Sequence, residues 1–244
     1  MAGWLRNLGR MAGPKVRKGK WLLQSMTGSR EDELRAEHDV GRDMAAEVRR
    51  QMGPGDDPEA TRLVEAVSKR LARCVTEKGR TFQVEVVQGQ TPNAFALPGG
   101  FVFVTRPLIE VCERREAELA FVIAHEMAHI MRGHALDRVL SDSATSVASR
   151  AIAGRTGLGA WLKHVGVRYV AGAYSRDREL AADALGARLA DAAGYDREAA
   201  VRLLARLDRL RAQGLADALG LGEYFASHPP TEERVREVRK APPV

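Results

Sequence analysis

The chain has 244 residues, 45% of them hydrophobic and 29% charged, which is enough to bury a sizeable core in one large domain or two small ones. Cys74 and Cys112 lie far apart and form no CxxC pair, so neither a disulfide framework nor a cysteine metal site is indicated. Of the 38 basic and 32 acidic side chains, seven basic ones and no acidic one fall in residues 1–30, so the rest is close to neutral and does not read as a nucleic-acid-binding domain.

In chain order, residues 1–30 form a basic tail: Arg6, Arg10, Lys15, Arg17, Lys18, Lys20 and Arg30 are interleaved with Trp4, Leu5, Leu8, Trp21 and Leu22. The unbroken apolar core of a signal peptide is missing. The tail reads as a flexible segment, or as a peripheral contact with anionic lipid. Residues 31–244 are expected to form a single domain. Glu31–Arg50 predicts a helix ended by the turn GPGDDP, and Pro58 opens a second that carries Leu63, Val64, Val67, Leu71 and Val75 up to Gly79. The β pattern lies at Phe82–Val86, Ala94–Leu97 and Phe101–Thr105, and it predicts a small antiparallel sheet whose edge is available to an extended peptide.

Ala117–Gly133 is apolar nearly all round and carries His125, Glu126 and His129 as HExxH. Positions four apart share a helix face, so both imidazoles can reach one Zn²⁺, and Glu126 beside them can act on a water as general base. A third ligand has to come from elsewhere. His134 lies nine residues beyond His125, on the opposite face of a continuous helix, and the window about twenty residues after His129 holds Ala148, Ser149 and Arg150. Residues 143–176 contain no acid. The first acidic helix after them is in YSRDRELAADALGARLADAAG, where Glu179 and Asp183 share a face. Glu179 can be the ligand and Asp183 the acceptor for a liganding imidazole's free N–H. The alternative is a solvated face pairing with Arg176 and Arg178.

The stretch 137–174, interrupted by Arg150, Arg155, Lys163 and Arg168, reads as ordinary helices, and its His164 is not expected to bind metal. Asp196–Gln213 is an amphipathic helix. YFASHPPTEERVREV follows as a loop carrying His228 and then a helix N-capped near Thr231. No run of about 18 apolar residues occurs, so no membrane-spanning helix is expected, and a cytoplasmic location, or the inner membrane face, is.

Four blocks, NAFALPGGFVFVT, HEMAH followed by GH, SRDRELAADALG and SHPPTEERV, resemble in order and spacing the HtpX/Oma-type zinc endopeptidases, gluzincins related to the CAAX prenyl proteases. The resemblance covers residues 60–240 and is to the compact form without membrane spans. It implies a zincin-like, mainly α fold with a small antiparallel sheet (α+β) and HExxH on the central helix. It also implies one Zn²⁺ per chain held by His125, His129 and Glu179, with Glu126 as catalytic base. By the same resemblance Asp183 supports the ligands, and Arg234 ties its loop to the core. His228 lies near the zinc, steadying the oxyanion or, in a resting form, filling the open coordination position. The implied activity is hydrolysis of peptide bonds in polypeptide substrates. A catalytically silent zinc-containing binding or chaperone module of the same fold is the competing expectation.

Overall fold

A computed structural model describes residues 29–139, 174–228 and 232–240. Residues 1–28 of the basic tail, the stretch 140–173 with His164, and the N-cap expected at Thr231 lie outside the described residues; Arg30, the last residue assigned to the tail, opens the first helix.

Helix α1, Arg30–Met52, starts at a reciprocal cap: the Ser29 side chain accepts from the Asp32 backbone N–H, and the Asp32 carboxylate accepts from that of Ser29. Helix α2, Pro58–Ala72, is capped by Asp57 with proline in its first turn. It ends before the Gly79 expected to stop it. Beyond the helix the buried side chain of Arg80 pairs with Glu37 of α1.

Strands β1 (Gln83–Val87), β2 (Ala94–Leu97) and β3 (Phe101–Thr105) form one sheet in the order β1-β3-β2. The sheet is mixed, where the sequence pattern suggested antiparallel. β2 and β3 form an antiparallel hairpin, but β1 runs parallel to β3. β3, FVFVT, is buried at every position, and a strand apolar on both faces takes the middle of a sheet. Alternation then sorts the side chains. Phe95, Leu97, Phe101 and Phe103 face Met44, Ala45 and Val48 of α1. Ala94, Ala96, Val102 and Val104 join the main core on the other side. The outer edge of β1 is covered where the Gly55 N–H donates to the Val86 carbonyl and the Gln88 N–H to that of Gly53. β2 has no further strand partner among the described residues.

After a short α3 (Arg106–Val111) comes α4 (Glu116–Met131), in which every residue from Glu118 to Ile130 is buried. Such a helix needs neighbours on all sides, and it has them in α2, β2, α5 (Arg176–Ala192) and α6 (Arg197–Ala212). Glu118 enters this core paired with Arg206 of α6, with Arg115 at 3.8 Å. The loop expected around His228 contains a one-and-a-half-turn helix, α7 (Gly222–Ser227), with His228 at its C-terminus. Helix α8 (Glu232–Lys240) packs on α5 and α6. Among the described residues no helix is long and apolar enough to cross a membrane.

The α4–α5 crossing fixes the site. Glu179, Asp183 and Gly186 stand on one face of α5 at i, i+4 and i+7. A Cβ on Gly186 would meet the His125 backbone N and Cα at 2.9 and 3.0 Å. Glycine lets the helices close to that distance. Gly186→Val should lower unfolding free energy by about 1–3 kcal/mol, the usual cost of overpacking, read from denaturant midpoints; unchanged stability would show that the crossing tolerates a side chain.

Candidate metal centre

The central helix delivers His125 and His129 one turn apart, and α5 delivers Glu179 opposite them. His125 Nε2 lies 3.1 Å from His129 Nε2 and 3.6 Å from Glu179 Oε2, and His129 Nε2 lies 3.2 Å from Glu179 Oε1. His228, brought in by α7, adds its Nδ1 at 3.3 Å from His125 Nε2 and 3.0 Å from Glu179 Oε2. All four side chains are buried, and their donor atoms lie within 4.8 Å of one another. A tetrahedral zinc site with bonds of about 2.0–2.1 Å has edges of about 3.3–3.4 Å. The separations match that figure, so the residues fit a small tetrahedral ion.

Charge gives the same answer. With the imidazoles in the neutral form that can ligate a cation, the fully buried charges are the carboxylates of Glu126, Glu179 and Asp183 and the guanidinium of Arg234. A divalent cation balances the remainder, and an unbalanced buried charge is costly.

The far nitrogen of each imidazole is also held. His125 Nδ1 lies 2.9 Å from Asp183 Oδ1. Arg234 in turn donates to both oxygens of that carboxylate, at 2.7 Å each. The same guanidinium donates to the His228 carbonyl at 3.4 Å and reaches Glu179 at 3.7 Å. His228 Nε2 faces Glu126 at 3.4 Å, and His129 Nδ1 faces His134 Nδ1 at 3.0 Å.

These contacts set the protonation states. Burial works against the Glu179 carboxylate, but His228, His125 and His129 around it outweigh burial and hold its pKa well below the ordinary value. Asp183 is likewise held down by Arg234 against its burial. Burial raises Glu126, partly offset by His228 and His125, which makes it a better proton acceptor than a surface glutamate. Burial, with the charges of Arg178 and Arg132, pushes His134 down to about 4, so it is neutral at pH 7.

A family model described as peptidase family M48 matches residues 58–241. The chain belongs to peptidase family M48. It is 30% identical over 210 residues to the mitochondrial metalloendopeptidase OMA1 of Schizosaccharomyces pombe, a match spanning 85% of this chain and 60% of that one. Metalloprotease YcaL of Escherichia coli is 30% identical across 70% of this chain and 68% of its own. Protease HtpX of Cellvibrio japonicus is 29% identical across 66% and 65%. The M48 chain thus spans about three-fifths of its fission-yeast relative.

The structure brings His125, Glu126, His129, Glu179, Asp183, His228 and Arg234 of this M48 chain into one buried cluster. Two members were not read from the sequence. His134 was set aside as a ligand, and it is indeed outside the donor group; what was not read is its place behind His129, reached because α4 ends at Met131 and Gly133 takes a φ of 73°. The glycine in HEMAHIMRGH was the available signal. Tyr174, just ahead of SRDRE, stacks on His129 with centroids 3.9 Å apart and planes 16° from parallel; nothing in the sequence pattern marked it.

Arg234→Met would leave Asp183 buried without its counter-charge, a change that typically costs about 3–5 kcal/mol. In the wild type Asp183 has a lowered pKa, so its contribution is present above the ordinary carboxylate range and is lost as pH falls through the lowered value. In the variant burial dominates and the sign reverses, so the deficit in thermal stability should shrink on acidification. A deficit independent of pH would contradict this assignment.

Proposed function

We propose that this chain is a zinc-dependent endopeptidase that hydrolyses peptide bonds with Glu126 as the base. The observation that carries the reading is a four-donor buried cluster of zinc-sized dimensions with a carboxylate of raised pKa beside it. His125, His129 and Glu179 would hold the ion. When bound, zinc supplies Lewis acidity, lowering the pKa of a water and polarising a carbonyl. Glu126 takes the water's proton on a carboxylate oxygen and passes it to the leaving amine. Asp183 and Arg234 keep His125 oriented through its Nδ1.

The substrate is a polypeptide, lying extended along the edge of β2 that has no strand partner among the described residues, next to α4. The class we favour is an unfolded chain or one held at a membrane surface. Favouring a membrane is the basic segment ahead of α1, with Trp4 and Trp21, which we assign to contact with anionic lipid rather than to the catalytic domain.

His228 has two roles in this reading. Its Nδ1 takes the fourth corner of the cluster and its Nε2 rests against Glu126, a closed resting arrangement. For hydrolysis the imidazole has to rotate out, where it becomes a donor to the developing oxyanion. The same closed corner favours the second reading, a silent zinc-containing binding module. Casein separates the two. Chelator-sensitive cleavage by the wild type or by His228→Ala supports the enzyme; zinc-loaded chains of both kinds that leave casein intact support the silent module.

Glu126→Gln should retain zinc and lose about 10²–10⁴ in turnover, the usual worth of a general base. Retained proteolysis would remove Glu126 from that role. Glu179→Ala should purify without stoichiometric zinc; a fully loaded variant would exclude the carboxylate as a ligand.

A further inference from the structure

We infer that His134 is a positioning residue, which holds His129 in the one tautomer able to present Nε2 to the metal. The inference rests on the zinc reading above and concerns this chain's own hydrogen bonds. His129 points Nε2 into the donor cluster, toward His125 Nε2 and Glu179 Oε1. A neutral imidazole carries a single N–H, so a lone pair at Nε2 requires the proton at Nδ1. That Nδ1–H needs an acceptor, because it is fully buried. Among the described residues the atom facing it is His134 Nδ1, at 3.0 Å.

One assignment satisfies both rings. His129 Nδ1–H donates to the His134 Nδ1 lone pair, so the single proton of His134 sits on Nε2. Two N–H groups in that contact would collide, and two lone pairs would repel. His134 reaches this place because α4 ends at Met131, Gly133 takes a left-handed φ of 73°, and a new helical turn begins at residue 134.

A second contact complements the first. Tyr174 lies flat on the His129 ring, with the Arg138 guanidinium 3.4 Å from the tyrosine centroid. Stacking fixes the plane of the imidazole but permits the 180° flip about Cβ–Cγ, which keeps that plane and exchanges Nδ1 with Cδ2. His134 removes that freedom.

The two helix ligands therefore differ in kind. His125 is backed by the carboxylate of Asp183, whereas His129 is backed by another imidazole.

The test measures zinc affinity of the full chain by competition with a chelating dye at pH 7.5, for the wild type, His134→Leu and His134→Asn. Leucine fills the space without an acceptor; asparagine can place a carbonyl oxygen near the former Nδ1. Loss of a supporting hydrogen bond of this sort typically weakens metal binding 10–100-fold, which is the expectation for His134→Leu, with His134→Asn close to wild type. A leucine variant of wild-type affinity, or an asparagine variant as weak as leucine, overturns the inference. Nitrogen-15 NMR of the wild type reads the tautomers without any substitution. The proton is expected on Nε2 of His134 and Nδ1 of His129, and a proton on His134 Nδ1 contradicts the assignment. A wild-type chain that binds no zinc, by contrast, fails the proposed function first and this role with it.

Discussion

Everything at the site depends on how closely α4 and α5 approach where Gly186 meets the backbone of His125. The contact sets the separation of two helices whose facing residues are the functional ones. It places Glu179 against His125 and His129, and Asp183 against the far side of His125. A side chain at residue 186 would have to move backbone, because backbone atoms are what it meets. The surrounding core makes the approach rigid: α4 is buried along almost its whole length, so it cannot shift toward one neighbour without opening a gap against another.

Onto that crossing the fold adds a ring of hydrogen-bonded supports, each from a different segment. Arg234 arrives on α8 and grips Asp183, the backbone of His228 and the neighbourhood of Glu179 together. His134 comes from the turn after α4, and Tyr174 from the start of the segment leading into α5. Each imidazole thus has one nitrogen in the donor cluster and the other occupied by a partner, which leaves little rotational freedom to be lost when a metal binds. Preorganisation of this sort is what a tight and geometrically selective site requires.

The sequence made some of this legible, for identifiable reasons. The apolar surround of HExxH declared a core helix, and a 3.6-residue period is enough to put His125 and His129 on one face. Glu179 and Asp183 could be found because the preceding thirty-odd residues are free of acids and the next acidic pair sits at helical spacing. Strand direction was not accessible: alternation in Phe82–Val86 reports which side chains point inward but not which strand lies next door, so the parallel β1–β3 pairing was missed. Helix α7 is too short to show a period. His134 was rightly excluded as a ligand, but its contact with the far side of His129 was hidden by extrapolating a straight helix past Gly133, whose positive φ follows the end of α4.

The most direct measurement of the central claim is X-ray absorption at the zinc edge on the purified full chain, together with metal content. The account predicts one zinc per chain with nitrogen and oxygen neighbours at about 2.0–2.1 Å and the outer-shell scattering of imidazoles. Sulfur neighbours at about 2.3 Å, implicating Cys74 or Cys112, or a chain that purifies free of metal and takes up none, would contradict it.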